Sequence, residues 1–160
     1  MQTGTVSEYM RTDLVSLPAD MPISEAVQVL LNHQISGAPV VNDDEAVVGV
    51  LSVTDVARHA TLPEHRSPQE QPHDYFLHHP EQAVASEELL GFRMEDLSGS
   101  VTVEEIMSPV IFDANPETPV SDVAHMMIDG HIHRVLVTEN DRVVGLVSSL
   151  DLLRIIAQEK

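Results

Sequence analysis

The sequence VVGVLSVTD at residues 47–55 recurs as VVGLVSSLD at residues 143–151. Both copies place a glycine, a serine and an aspartate in the pattern Gly-x-x-Ser-x-x-Asp, within a run of β-branched and apolar residues. A short apolar run of this kind predicts a buried strand, and the polar residues that close it predict the start of a helix. We therefore expect the same strand-to-helix junction to occur twice in the chain.

The similarity between the two copies extends toward the N-terminus, where Met10 matches Met107 and Pro22 matches Pro119. Each copy contains an apolar stripe with the i, i+3, i+4, i+7, i+8 spacing of an amphipathic helix. The stripes are Ile23, Ala26, Val27, Leu30 and Leu31 in the first copy, and Val120, Val123, Ala124, Met127 and Ile128 in the second. Thr118 and Pro119 are typical of an N-cap followed by a first helical residue.

Two β-rich runs follow each of these helices, at residues 38–41 and 47–52 and again at 135–137 and 143–148. Acidic turn residues separate the runs, as in a hairpin. With short first strands near residues 14–17 and 111–113, each copy has the order β-α-β-β-α. We therefore predict an α/β (α+β) protein of two packed repeats, residues 1–60 and 101–160. Residues 61–100 form a linker that is partly helical or disordered. Within and next to it, residues 59–80 are predicted to be a loop and residues 81–97 to be partly helical.

Composition excludes several classes of protein. The 160-residue chain contains no cysteine, which removes disulfides and thiolate metal sites, and its formal net charge of −18 disfavours nucleic acid and anionic lipid as partners. No segment reaches the roughly 18 consecutive apolar residues of a membrane span. No Gly-x-Ser-x-Gly, P-loop or His-Glu-x-x-His motif occurs. We expect a soluble, cytoplasmic, non-catalytic protein.

The chemistry of the junction suggests a nucleotide clamp. Glycine permits close backbone approach, the serine hydroxyl and helix-start N–H groups can donate to a phosphate, and the aspartate can accept ribose hydroxyls. The same Ser-x-x-Asp spacing is also a capping box that merely satisfies helix N–H groups. Both interpretations remain open at this point.

These repeated motifs together resemble the CBS domain, a β-α-β-β-α module that occurs in tandem pairs. The resemblance covers both copies and excludes the linker. It implies a regulatory pair related by a pseudo-twofold axis, with two clefts that bind AMP, ADP, ATP or S-adenosylmethionine, and commonly a homodimer. It implies neither a required cofactor nor the identity of the regulated protein.

By this analogy, each aspartate lies in a cleft lined from both repeats. The Asp151 cleft comprises Leu146, Val147, Ser148, Arg134, Met21, Ile35, Ser36 and Gly37. The Asp55 cleft comprises Val50, Leu51, Ser52, Thr118, Ile132 and His133. Arg134 either offsets phosphate charge or pairs with a nearby surface carboxylate. Because Gly37 stands where the second copy has Arg134, the Asp151 cleft is the preferred site for a phosphorylated ligand.

Two other hypotheses remain. The first is a ligand-free structural or protein-interaction module, in which the Ser-x-x-Asp elements are only caps. The second is a metal-responsive protein that binds zinc or nickel through His65, His73, His78 and His79 of the linker. The irregular spacing of these histidines favours a solvated loop instead, and the pair His131 and His133 has no convergent carboxylate, so no metal ligand is assigned.

Overall fold

The computed structural model describes residues 4–61, 73–77 and 101–158. The first half begins with a 3₁₀ turn at Val6–Glu8. Its remaining elements are β1 Leu17–Pro18, α1 Ile23–Asn32, β2 Gly37–Val41, β3 Val47–Ser52 and α2 Val53–Thr61. A short helix, α3 at Asp74–Leu77, follows within the linker. The second half contains α4 Val103–Ile106, β4 Asp113–Ala114, α5 Val120–Gly130, β5 Arg134–Glu139, β6 Arg142–Ser148 and α6 Ser149–Gln158.

Each half carries one three-stranded sheet with the same topology. β1 is parallel to β2 and β2 is antiparallel to β3, and β4, β5 and β6 repeat this arrangement. In the hairpin registers, Gly37 lies opposite Ser52 and Arg134 lies opposite Ser148. The predicted α/β (α+β) class and the repeated β-α-β-β-α order are confirmed. The hairpin ends therefore lie beside the strand-to-helix junctions.

The two halves exchange their leading segments, which were not expected to leave their own repeats. In the first exchanged segment, residues 4–11, the Val6 N–H donates to the Thr118 carbonyl at 2.9 Å. Arg11 and Leu146 exchange backbone hydrogen bonds of 2.8 and 2.9 Å. The first exchanged segment therefore extends the second half at the β6 edge.

The second exchanged segment, residues 101–108, makes the equivalent contacts with the first half. The Val103 N–H donates to the Met21 carbonyl at 2.9 Å, and Ser108 and Val50 exchange two backbone bonds of 2.9 Å. Val6 and Val103 are both fully buried, each in the core of the opposite half. Each repeat is therefore completed by chain from the other.

The exchange also explains why one predicted helix start was wrong. The structure places Pro119 at the cap and begins α5 at Val120, and no side-chain cap hydrogen bond is present. The Val120 N–H donates instead to the Gly4 carbonyl of the first exchanged segment at 3.1 Å. The backbone of the opposite repeat therefore satisfies a helix N–H that a Thr118 side chain was expected to satisfy.

Most of the predicted helix stripes are buried. Ile23, Ala26, Val27 and Leu30 are each at most 2% exposed. Ile128 departs from the prediction, because it is 67% exposed at the margin of the α5 stripe, where it faces solvent. The predicted loop over residues 59–80 is wrong at two places. α2 runs on to Thr61, and α3 forms within the loop because its aromatic residues pack into a core. The predicted helical character of residues 81–97 lies outside the described residues.

Candidate functional site

The Ser-x-x-Asp elements form the same hydrogen-bonded junction in both repeats. The Ser52 N–H donates to Asp55 Oδ2 at 2.9 Å, and the Asp55 N–H donates to Ser52 Oγ at 3.2 Å. In the second repeat the corresponding distances between Ser148 and Asp151 are 2.9 and 3.3 Å. The capping box is thus present twice, yet each aspartate also binds groups outside its cap. Those additional partners distinguish the two sites.

Two guanidinium groups bind the outer oxygen of Asp151. Arg11 Nη2 lies 3.2 Å and Arg154 Nη1 lies 3.0 Å from Asp151 Oδ1, while the Ser148 hydroxyl donates to Oδ2 at 2.7 Å. The aspartate side chain is 7% exposed, whereas the arginine side chains are 37% and 55% exposed. A buried carboxylate therefore lies under cationic groups that reach solvent.

A histidine from the linker binds the equivalent Asp55. His73 Nε2 lies 2.8 Å from Asp55 Oδ2 and 3.0 Å from Oδ1, and both side chains are buried. The Tyr75 N–H donates to His73 Nδ1 at 3.2 Å. Because Nδ1 accepts that bond, the ring proton is assigned to Nε2, which donates to the carboxylate. Arg58 is more distant, with Nη1 3.8 Å from Asp55 Oδ1.

The aromatic residues of α3 fill the space beside this histidine. The Arg134 guanidinium carbon lies 4.8 Å from the centre of the Tyr75 ring, and both residues are 4% exposed. Burial raises the pKa of the Tyr75 hydroxyl, and the Arg134 charge opposes part of that rise. The Phe76 carbonyl accepts the His133 N–H at 2.7 Å. Residues 73–77 therefore join Asp55 of the first repeat to β5 of the second.

Several residues predicted for the Asp55 cleft lie around α3. Ser52 bonds Asp55, His133 bonds Phe76, and Val50 and Ile132 belong to the core cluster that contains Tyr75 and Phe76. Gly37 and Arg134, assigned by analogy to the Asp151 cleft, also contact this segment through Tyr75. Leu51 is buried in the first core, and Thr118 bonds the first exchanged segment.

The residues predicted for the Asp151 cleft are placed less uniformly. Ser148 bonds Asp151 directly, while the buried Leu146 and Val147 belong to the core of the second half. Met21 and Ile35 pack against the core of the first half, and Ser36 accepts the Val53 N–H at 2.9 Å. The assignment of these residues to a ligand cleft stays a prediction.

The motif glycines face the exchanged segments. A Cβ atom on Gly145 would lie 2.8 Å from Met10 Cγ and 3.1 Å from the Arg11 carbonyl oxygen. A Cβ atom on Gly49 would lie 2.8 Å from Met107 Sδ. The expected close backbone approach therefore occurs, but the approaching group is the protein's own chain.

Sequence reasoning missed Arg11, Arg154 and Tyr75, and it considered His73 only as a metal ligand and not as a partner of Asp55. Arg154 follows Asp151 by three residues, the spacing of neighbours on one helix face, and this signal was available. Tyr75 and Phe76 are adjacent aromatics in a chain with only two tyrosines and three phenylalanines. This pair was an available but unused signal that the linker contributes to a core. His73 carried no comparable signal, because its partner is distant in sequence.

Metal and membrane features are absent from the described parts of the chain. Within residues 4–61, 73–77 and 101–158, no group of three or more His, Asp or Glu side chains could hold a metal ion. Of the proposed linker ligands, His73 is bonded to Asp55, whereas His65, His78 and His79 lie outside the described residues. No helix within the same ranges is long and apolar enough to cross a membrane.

Solved structures with this arrangement include ligand complexes. The CBS domain pair of protein MJ0100, in complex with 5′-methylthioadenosine and S-adenosyl-L-methionine, has a TM-score of 0.63 and 23% identity, with 98% of each chain covered. CBSX2 in complex with AMP has a TM-score of 0.65 and 19% identity, with 97% of each chain covered. Another solved structure of CBSX2 is of the protein from Arabidopsis thaliana. At these identities the likeness shows the fold.

Relatives in sequence differ in length. Uncharacterized protein MJ1426 of Methanocaldococcus jannaschii is 26% identical over 92% of this chain and 88% of its own length. In contrast, the chain spans 43% of protein MJ1225 from the same organism and 25% of a homoserine O-acetyltransferase of Methanosalsum zhilinae. The family model described as CBS domain matches residues 6–61 and 103–158. With both repeats matched, the chain belongs to the CBS-domain family as a tandem pair.

Proposed function

We propose that the chain is a non-catalytic regulatory module that binds an adenosine ligand, AMP, ADP, ATP or S-adenosylmethionine, in the Asp151 cleft. The observation that carries this proposal is the Asp151 carboxylate, which is 7% exposed and oriented by Ser148 while two arginines contact its outer oxygen. A fixed carboxylate of this kind suits the two ribose hydroxyls, which it can accept in charge-assisted hydrogen bonds. The complexes of MJ0100 and CBSX2 support the choice of ligand class.

The two arginines suit the remainder of such a ligand. Arg11 and Arg154 keep 37% and 55% of their side-chain surface exposed, so each can turn toward a phosphate at small cost. A guanidinium binds phosphate oxygens through a rigid fork of donors. In a chain of net charge −18, these local cations offset the long-range repulsion of an anionic ligand. The cleft therefore offers a carboxylate for the ribose and two cations for the phosphate of an adenosine nucleotide.

Regulation follows from the position of Arg11. This residue belongs to the first exchanged segment, and Asp151 belongs to the second repeat, so a ligand that redirects Arg11 changes a contact between the halves. A ligand shifts such an equilibrium only by its differential affinity for the two arrangements. The module would transmit that shift to a regulated protein whose identity is unknown.

We further propose that the module acts in the cytoplasm as a homodimer, supported by the exposed Ile128, Leu153 and Ile156 side chains.

Calorimetric titration with AMP, ADP, ATP and S-adenosylmethionine tests the proposal. The Asp151→Asn substitution should weaken binding about tenfold or more, because it removes a charged acceptor of hydrogen bonds. Asp122→Asn is the matched control, since Asp122 is an exposed aspartate in the first turn of α5, and it should bind like the parent chain. The absence of heat for all four ligands at millimolar concentration would refute the proposal.

A ligand-free interaction module is the second candidate, favoured by the complete capping boxes at both junctions. In that case the serine and aspartate serve only the helix starts. Ser148→Ala would lower the melting temperature, and none of the four ligands would raise it, since only a ligand that binds the folded state stabilises it. A rise in melting temperature with ligand would exclude this alternative.

A further inference from the structure

The two repeats differ most in the side chains that bond their equivalent aspartates. Asp151 meets arginines that are partly exposed, whereas Asp55 meets His73, which is 4% exposed and comes from outside either repeat. The segment that delivers His73, residues 73–77, contacts β3 of one repeat and β5 of the other. It therefore lies between the repeats, where the sequence analysis placed a ligand.

Residues 73–77 occupy three kinds of group that a nucleotide would use. The His73 Nε2–H group donates a hydrogen bond to the Asp55 carboxylate at 2.8 Å. The Tyr75 ring lies against the Arg134 guanidinium. The Phe76 carbonyl takes the His133 N–H at 2.7 Å. A bound nucleotide would use the same three groups. Its ribose hydroxyls would bond the carboxylate, its phosphate would bond the cation, and its base edge would bond the backbone N–H. A ligand and this segment cannot both bond these groups.

The flat ring of Tyr75 also occupies the apolar part of the cleft. A Cβ atom on Gly37 would lie 2.9 Å from Tyr75 Cδ2, so the ring packs directly on the glycine backbone. The Tyr75 and Phe76 rings meet edge to face at 5.1 Å, and Phe76 meets Phe112 at 5.2 Å. Gly37 was assigned by analogy to the Asp151 cleft, but the structure packs an aromatic ring of the linker on it, next to the His73 that bonds Asp55.

We propose that residues 73–77 are an internal competitor of ligand at the Asp55 cleft, so that ligand binds there only when this segment leaves. The inference rests on the proposed function, because it concerns the second cleft of the same module. The apparent affinity of that cleft is the intrinsic affinity multiplied by the fraction of molecules whose segment is displaced. The Asp151 carboxylate is bonded instead by Arg11 and Arg154, so ligand reaches the two acids by different displacements and the two clefts fill at different ligand concentrations.

Titrations in an Asp151→Asn background isolate the Asp55 cleft. Adding His73→Ala and Tyr75→Ala should strengthen AMP or S-adenosylmethionine binding by about tenfold or more, because the docked segment leaves at most a minor population competent to bind. His125→Ala, an exposed histidine on α5, is the matched control and should leave the weak binding unchanged. Melting curves of each variant establish that the repeats remain folded.

A second measurement uses the Asp151→Asn chain with its linker intact. The His133 amide is bonded to the Phe76 carbonyl, so its hydrogen exchange reports whether the segment is docked. Saturating AMP or S-adenosylmethionine should accelerate that exchange and expose the bonds beside Tyr75 and Phe76 to chymotrypsin. Ligand bound at the Asp55 cleft with unchanged exchange would overturn the inference.

The outcomes separate the two proposals. Binding by the parent chain that Asp151→Asn abolishes, with no gain from the linker substitutions, refutes the internal competitor and keeps the proposed function. No binding by any variant refutes both. Binding that appears only after the linker substitutions supports the internal competitor and transfers the adenosine site from Asp151 to Asp55.

Discussion

Replacing Val6 by alanine should destabilise the half of the protein to which Val6 does not belong in sequence. Val6 is fully buried in the second core, next to residues of β5 and β6. The substitution removes two buried methyl groups, worth about 1.6 kcal/mol at roughly 0.8 kcal/mol each, and leaves a small cavity. We expect a total loss of about 2–3 kcal/mol, including that cavity.

Chemical denaturation and thermal melting measure this loss. For a chain of this size the melting temperature should fall by about 5–10 °C. Hydrogen exchange should accelerate mainly at amides of β6 and α5, because the cavity opens there. Val110→Ala is the matched control, since Val110 is 60% exposed, and its effect should stay below about 0.5 kcal/mol. Equal losses for the two variants, or faster exchange confined to the first half, would refute the exchanged packing.

Three further outcomes are expected. Gly145→Ala should cost about 1–3 kcal/mol in denaturant unfolding, because the new Cβ atom crowds Met10, and an unchanged midpoint would contradict that crowding. In a Tyr9→Phe chain, absorbance at 295 nm should show Tyr75 ionising above its ordinary pKa of about 10. Because burial raises that pKa, docking of residues 73–77 should not depend on pH below about 10 and should weaken above it. Ionisation of Tyr75 below its ordinary pKa would contradict its burial. Ser148→Ala should lower the free energy of unfolding by about 1 kcal/mol, because the helix loses its cap. An unchanged melting temperature in calorimetry would contradict this expectation.

The elements that the sequence predicted well are those whose signal is local and repeated. The β3 limits match the predicted residues 47–52, and the α1 stripe is buried as its spacing required. Duplication supplied a second reading of each element, since the apolar stripe of α1 recurs in α5. Local periodicity reports which face of an element is apolar, and burial follows from that face.

The features that escaped prediction depend on contacts between distant parts of the chain. Nothing in the residues around Val6 indicates that its core partners lie in the other repeat, because either core would bury a valine equally well. The same applies to His73, whose carboxylate partner could have been either junction acid. The cap was misassigned to Thr118 for this reason, since the Val120 N–H donates to the Gly4 carbonyl of the first exchanged segment.

The exchange of segments has a consequence for how the chain is made. The ribosome synthesises Arg11 long before the Leu146 backbone that bonds it. At about 5–20 residues per second, the first segment waits on the order of ten seconds with its valine uncovered. The first repeat waits in the same way for Val103. The second core is therefore completed only after β6 has been synthesised, and a nascent chain stalled before β6 would expose Val6 to chaperones.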